Sequence, residues 1–253
     1  MSLSPPDLYP PINTLKPIAD DVWIVDGPSI RFGPRWFQFP FPTRMTILRV
    51  DGGLFIHSPT EIVPTLLAEL ALLGDVRWIV GPNRLHHWWI PSWHRTFPSA
   101  AVYLAPGNAA QARGRSDFPC MELAADHGYP WDDAIVTLPI QGSYLTEVAF
   151  FHRPSRTLVL TDLIENFELS KIRSPVQRLL VRIGGVASPS GSTPRDMRMT
   201  FRKRRDELRT AIETMISWKP ARVVFAHGKW FERNAEAELR RAFAWALHRR
   251  NQM

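Results

Sequence analysis

Two short hairpins, one in each half of the chain, constrain the fold most. In the first, residues 45–50 and residues 54–57 flank Asp51-Gly52-Gly53, and the Asp-Gly pair favours the positive φ angles of a tight turn. In the second, residues 147–152 and residues 157–160 flank a turn that contains proline. Single strands and helices separate the two hairpins, so antiparallel and parallel pairing must combine. The sequence therefore predicts two mixed sheets with helices outside them.

Periodic apolar residues predict the remaining elements. One helix is expected to begin at a Thr60 cap and to end at Gly74, because leucines recur between them at helical spacing. Further helices are expected at residues 91–97, 108–113, 176–183, 195–216 and 235–249, and further strands at residues 22–25, 76–80, 101–104, 135–140 and 222–225.

Composition excludes several classes of protein. Apolar residues make up 45% of the 253 residues and ten are tryptophan, which excludes a disordered chain. The single Cys120 excludes an intramolecular disulfide and favours the cytosol. Residues 1–20 are rich in proline and have no apolar core, so we expect an extended arm without a secretory signal. No run approaches the roughly 20 apolar residues of a transmembrane segment.

Positive charge is concentrated in one predicted helix. The net charge is +7. Such a surface either remains solvated or binds an anionic partner such as nucleic acid, phosphate or lipid. The basic cluster in this predicted helix comprises Arg195, Arg198, Arg202, Lys203, Arg204, Arg205 and Arg209.

Residues 31–42 alternate aromatic, arginine and proline side chains. Three prolines make a strand unfavourable here. The segment is interpreted either as a loop packed on the body of the protein or as a loop that covers a substrate or touches a membrane.

Three turns with metal-ligating side chains each follow an apolar strand. The first carries His86 and His87, the second Asp162 and the third His227. Loops at the carboxyl ends of strands converge, so these side chains are expected to meet. Imidazoles and a carboxylate suit Zn²⁺ or a similar divalent ion. Taken singly, each residue also has a structural explanation, as a hydrogen-bonded core histidine or a helix cap.

These features resemble the metallo-β-lactamase fold superfamily and, more closely, its DUF4336 branch. The segments that carry the resemblance are residues 43–59, 81–87, 93, 97–98, 102–107, 147–152, 156–162 and 226–228. The resemblance implies an α/β (α+β) fold, a four-layer αβ/βα sandwich of two mixed β-sheets. It also implies one domain over residues 21–253, preceded by residues 1–20 as an N-terminal arm. It implies no particular activity for the branch.

The resemblance also implies that several ligands are missing. When the last histidine of the superfamily's His-x-His-x-Asp-His turn is laid on His87, the earlier positions fall on Pro82, Arg84 and His86. The Gly-His of the next motif falls on Gly142-Ser143. The ligands of the first metal are thus absent, and at most one divalent metal is implied, most naturally zinc, with iron or manganese as alternatives. Its ligands are His86, His87, Asp162 and His227.

Three residues are candidates for catalysis. Asp162 is the carboxylate that the superfamily uses between its metals. Arg84 either supplies a fixed positive charge where the first ion would lie or faces solvent. Glu147 either acts as a general base or has a structural position in its hairpin, and it faces away from His152 because the two are five residues apart on one strand. His57 is expected to support the ligands.

The leading hypothesis is a metal-dependent hydrolase of an ester, an amide or a phosphoester, acting on a small molecule. Four protein ligands would make the metal structural, whereas a displaced ligand would let it polarise water. One alternative is a non-enzymatic descendant of the fold whose histidines are a hydrogen-bonded remnant. Another is a basic protein that contacts nucleic acid or a membrane.

Overall fold

The computed structural model describes residues 8–33, 38–107 and 118–248. The chain forms two compact units. The first unit comprises residues 1–124 and 170–178, and the second comprises residues 125–169 and 179–253. Each unit has its own apolar core.

A seven-stranded mixed sheet forms the centre of the first unit. Its strand order is β1-β2-β5-β6-β7-β8-β9, antiparallel from β1 to β6 and parallel from β6 to β9. The seven strands are β1 (Lys16–Ala19), β2 (Val22–Asp26), β5 (Arg44–Val50), β6 (Gly53–His57), β7 (Asp75–Gly81), β8 (Ala101–Leu104) and β9 (Met121–Glu122), and the helices of this unit are α1 (Pro64–Ala71) and α2 (Ile90–Thr96). A separate antiparallel pair is formed by β3 (Ile30–Phe32) and β4 (Phe39–Phe41).

A four-stranded mixed sheet forms the centre of the second unit. It is antiparallel from β10 (Ile135–Ile140) through β11 (Glu147–His152) to β12 (Thr157–Val159), and β12 pairs in parallel with β13 (Arg222–Val224). The helices are α3 (Pro175–Gly184), whose first turn is grouped with the first unit, α4 (Arg205–Ser217), α5 (Ala235–Ala242) and α6 (Ala244–Leu247), with two 3₁₀ helices at Leu169–Lys171 and Met197–Arg204.

Both sheets are mixed, as the hairpins predict. Each predicted hairpin is present, as β5–β6 and as β11–β12. The expected α/β class with two mixed sheets is therefore confirmed. Part of the predicted N-terminal arm is itself a strand, because Lys16–Ala19 pairs with β2. None of the helices among the described residues is long and apolar enough to span a membrane.

The first predicted helix begins later than the sequence suggested. Proline at residue 64 opens α1, since its fixed φ suits the first helical position. The residue before it, Val63, is held extended at φ −127° and ψ 152°. Thr60 therefore caps nothing, and its carbonyl instead accepts the indole N–H of the fully buried Trp93 at 2.7 Å.

Three other predicted elements differ from the structure. Residues 29–43 include the pair β3–β4, in which Pro40 lies opposite Arg31, because a two-stranded ribbon leaves a proline's missing N–H on an open edge. The predicted helix 195–216 breaks at Arg204 (φ −123°, ψ 34°), and the last helix breaks at Phe243 (φ −102°, ψ 12°). The helix expected at residues 108–113 and the centre of the aromatic segment, residues 34–37, lie outside the described residues.

Candidate metal centre

The carboxyl ends of β12 and β13 bring Asp162 and His227 together. The strands pair with Val159 opposite Val224, and each functional side chain lies three residues beyond its member of that pair. Asp162 Oδ1 and His227 Nε2 are 3.1 Å apart, and the two side chains are only 4% and 6% exposed. These two strand ends therefore converge as the sequence predicts.

Glu147 holds the turn that carries Asp162. Its Oε1 accepts the N–H of Thr161 at 2.8 Å, and its Oε2 accepts those of Asp162 and Leu163 at 2.8 and 3.0 Å. Burial, reinforced by the charge of Asp162, raises the pKa of Glu147 to about 7, although the amide donors act in the opposite direction. The carboxyl group thus organises three backbone donors, and it thereby sets where the Asp162 side chain begins.

Glu165 is a buried acid that the sequence reasoning missed. Burial raises the pKa of its carboxyl group to about 8, while the charge of His227 acts in the opposite direction. Asp162 and other acids of this unit reinforce the rise. The only signal in the sequence is an acid directly after the apolar pair Leu163-Ile164, three residues beyond Asp162.

Gly228 allows the His227 turn to approach the segment that follows Asp162. A β-carbon at Gly228 would lie 2.2 Å from the Asn166 carbonyl oxygen, and its φ of +92° is one that side chains rarely adopt. Asn166 N–H donates to the His227 carbonyl at 3.2 Å, and Lys229 N–H donates to the Asn166 carbonyl at 2.9 Å. These backbone hydrogen bonds fasten the segment that carries His227 to the segment that follows Asp162.

In the first unit, Asn83 shapes the turn that carries His86. Its buried side-chain oxygen accepts the N–H groups of Leu85 and His86 at 2.8 and 3.2 Å. The imidazole Nδ1 of His86 lies 2.6 Å from Ser58 Oγ. Because Nδ1 is engaged by the hydroxyl, Nε2 is the ring atom available to a metal.

The His87 side chain contacts the backbone of Arg84. His87 Nδ1 lies 2.9 Å from the Arg84 carbonyl oxygen, and the imidazole stacks on Trp88 with 6.1 Å between ring centroids. Both residues are half-buried. Because Nδ1 contacts the carbonyl oxygen, Nε2 lies on the opposite side of the His87 ring.

His57 ends β6 directly before Ser58. It is 1% exposed, and burial, followed by the charge of His86, lowers its pKa to about 3. The imidazole is therefore neutral and adds no positive charge beside His86. The contribution of this strand end to the His86 turn comes through the hydroxyl of the next residue.

Gly142 and Ser143, where the resemblance implies a missing ligand, lie in a turn with structural partners. Ser143 N–H donates to the Thr200 carbonyl at 2.7 Å, and a β-carbon at Gly142 would lie 2.3 Å from the Leu145 carbonyl oxygen. This is a tight turn. His152, on the same strand as Glu147, contacts Ser155 Oγ at 2.7 Å within its own hairpin.

The basic cluster of residues 195–209 is not one free helical face. The guanidinium of Arg198 lies 5.0 Å from the centre of the Trp245 ring, and Arg205 donates to the Trp245 carbonyl. Arg209 donates to the Ala246 carbonyl at 3.4 Å. These three arginines fasten α6, so they are not part of a freely solvated basic face.

A match to a known family model identifies the family of this chain. Residues 20–174 match the model described as "Domain of unknown function (DUF4336)", and this segment is more than half of the chain. The chain belongs to the DUF4336 family. The resemblance read from the sequence is thereby confirmed. The sequence of this DUF4336 protein has no match among curated proteins.

Solved metallo-β-lactamases share the fold of this DUF4336 protein. An enzyme from Pontibacter korlensis is 13% identical with a TM-score of 0.59, and the match covers 93% of this chain and 99% of that one. DIM-1 exposed to ceftazidime is 12% identical with a TM-score of 0.61, covering 96% and 98%. FIM-1 from Pseudomonas aeruginosa, in its mono-zinc form, is 11% identical with a TM-score of 0.60, covering 92% and 94%. At these identities the likeness establishes the fold, which is metallo-β-lactamase-like.

Proposed function

We propose that this DUF4336 protein holds a single divalent metal ion through His86, Asp162 and His227, a group of possible ligands to which His87, also expected as a ligand, does not belong. Zinc is the first choice of metal, with iron or manganese as alternatives. The observation that carries the proposal is the buried Asp162–His227 pair, 3.1 Å apart at the ends of neighbouring parallel strands.

The chemistry of the donors fits such an ion. Imidazole nitrogens and a carboxylate oxygen are the ligands that zinc most often takes beside thiolate. Protein ligands of this kind are normally oriented by further hydrogen bonds. Here Ser58 Oγ contacts His86 Nδ1, and the amide of Asp162 is held by Glu147.

Loss of the remaining superfamily ligands supports one ion rather than two. Proline and arginine occupy positions 82 and 84, and Ser143 lies in a turn bonded to Thr200. Such side chains do not replace imidazoles as ligands for a second zinc. A related fold is known to exist with one zinc, because FIM-1 was solved in its mono-zinc form.

Hydrolysis of an ester, an amide or a phosphoester is the reaction class we propose. A bound divalent metal would polarise the substrate oxygen or activate water. We assign Glu147 a positioning role, because its carboxyl group already accepts three backbone N–H groups. Arg84, where the superfamily has a ligand, is proposed to supply a fixed positive charge for an anionic group of the substrate.

We also propose that residues 21–253 act as one domain, with residues 1–20 as an arm. The likeness to each of the three metallo-β-lactamases covers 92% or more of this chain, which includes residues of both compact units. Unfolding in a single cooperative transition is expected for one domain.

A non-enzymatic descendant of the fold is the second candidate. The Asp162–His227 contact is itself short enough for a hydrogen bond, so the pair satisfies its own polar atoms without a metal. In that case the two turns keep their positions through this pair and through the backbone bonds of Asn166.

Metal analysis of the purified full chain separates the two candidates. We expect about one equivalent of metal per chain, lost in Asp162→Ala and in His227→Ala. His127→Ala is the matched control, because His127 is exposed and its imidazole lies 2.6 Å from the neighbouring Asp126. A metal content below about 0.1 equivalent per chain, after growth with added zinc, iron or manganese, would contradict the metal proposal. Equal metal content in Asp162→Ala and the parent would also contradict it.

A further inference from the structure

Helix α3 turns most of its apolar side chains outward. Its apolar positions follow one another at intervals of three, one and three residues, which places them on one face of the helix. They are exposed by 60%, 54%, 41% and 54% at Val176, Leu179, Leu180 and Ile183. Only Val181 of this helix is buried.

An outward apolar face of this kind indicates an environment other than water. Isolated exposed leucines are common on protein surfaces, whereas a contiguous stripe marks an interaction site. The helix continues over Pro175–Gly184, so the four side chains form a stripe about two turns long.

The segment around this stripe is strongly cationic. Residues 169–195 contain five basic side chains and no acidic one; the basic residues are Lys171, Arg173, Arg178, Arg182 and Arg195. Arg182 lies on the exposed part of the helix itself. Arg195 is exposed and lies beside the end of α3, since its N–H donates to the Gly184 carbonyl at 3.0 Å.

The positive charge of this segment limits which kinds of molecule can cover the apolar stripe. A second copy of this chain would bring the same cations into contact with themselves, and like charges facing each other are unfavourable. A neutral apolar groove would gain nothing from the five cations. The occupant must therefore combine an apolar interior with negative charge around it.

We propose that α3 binds the surface of an anionic lipid bilayer. A bilayer offers acyl chains to the apolar stripe and a continuous layer of negative headgroups to arginines at its sides, whose long stems keep the charge at the interface. The stripe itself carries no polar side chain that would recognise a specific protein partner. The helix has ten residues and lies in the plane of the interface rather than across the membrane.

Vesicle flotation of the full chain tests the proposal. The probes are vesicles of phosphatidylcholine alone and vesicles with roughly 30% phosphatidylserine, each at about 0.05 M and about 0.5 M salt. We expect binding to the anionic vesicles that weakens at high salt and is at least about fivefold weaker with neutral vesicles.

Two variants distinguish the contribution of the apolar stripe to binding from that of the neighbouring positive charges. Leu179→Ser combined with Ile183→Ser removes apolar area without changing charge, and we expect partition to fall at least about tenfold. Leu72→Ser is its control, because Leu72 is 86% exposed but lies outside α3. Arg182→Gln is expected to weaken partition about fivefold. Its control is Arg240→Gln, on the exposed face of α5.

Three results would overturn the proposal. The first is no binding to anionic vesicles at low salt, with circular dichroism showing a folded protein. The second is equal binding by the Leu179/Ile183 double variant and the parent, which would assign binding to net charge alone. The third is a concentration-dependent dimer that dissociates in the double variant, which would make the stripe an interface between copies of the chain.

Discussion

Replacing Glu147 by glutamine measures how firmly the Asp162 turn is held. The two oxygens of Glu147 accept three buried N–H groups, those of Thr161, Asp162 and Leu163. Glutamine offers one oxygen and one NH₂ group, so at least one backbone donor faces another donor. A buried donor without an acceptor costs about 1–3 kcal/mol, and above about pH 7, where the Glu147 carboxyl group is mainly ionised, the remaining bonds also lose the strength that an ionised acceptor adds. We therefore expect the free energy of unfolding to fall by about 2–4 kcal/mol.

Urea unfolding followed by tryptophan fluorescence measures this loss, since the chain has ten tryptophans. Glu232→Gln is the matched control, because Glu232 is exposed and the same substitution there should change stability by less than about 0.5 kcal/mol. If Glu147→Gln costs less than about 1 kcal/mol, the three amides have found other acceptors and the reasoning is refuted. Unfolding is measured in the presence of a chelator, so that loss of a metal bound at Asp162 does not add to the difference.

Two further substitutions test other contacts of the second unit. Gly228→Ala places a methyl group 2.2 Å from the Asn166 carbonyl oxygen, so we expect a loss of at least about 3 kcal/mol in the free energy of unfolding. Gly107→Ala is also at positive φ, but no described residue comes within 4 Å of the added β-carbon, so it should cost only about 1–2 kcal/mol; equal losses would contradict the clash. Thr200→Val removes the hydroxyl that accepts the N–H groups of Tyr144 and Leu145. Thermal unfolding should show a loss of about 2–4 kcal/mol in the free energy of unfolding. Thr210→Val is the exposed control, and an equally small loss at Thr200 would exclude this role.

Both hairpins and the most apolar strands were predictable because alternating and continuous apolar runs are read directly from the sequence, whereas β1 and the pair β3–β4 were not predicted. The hairpin β5–β6 carries its turn chemistry in Asp51-Gly52, where both residues have positive φ. Helix boundaries were less predictable, because competing signals lie close together. Thr60 is a favourable cap, yet Pro64 determines where α1 begins.

The candidate site was predictable only in part. Asp162 and His227 follow apolar strands, and the parallel pairing of those strands brings them together. The acceptor role of Glu147 depends on which amides its strand neighbours present, and the spacing of residues contains no such information. Glu165 was missed for the same reason, because a single acid acquires its meaning only from burial.

The parallel pairing of β12 and β13 has a consequence for how this protein can change. The relative position of Asp162 and His227 is set by strand register and by the bonds of Asn166, both local to the ends of the strands. Beyond Asn166, the long connection between the two strands, which includes α3 and α4, contains neither Asp162 nor His227. Insertions, deletions and new surfaces can therefore accumulate around α3 and α4 while Asp162 and His227 keep their spacing, so the proposed lipid-binding helix and the proposed metal site can diversify separately.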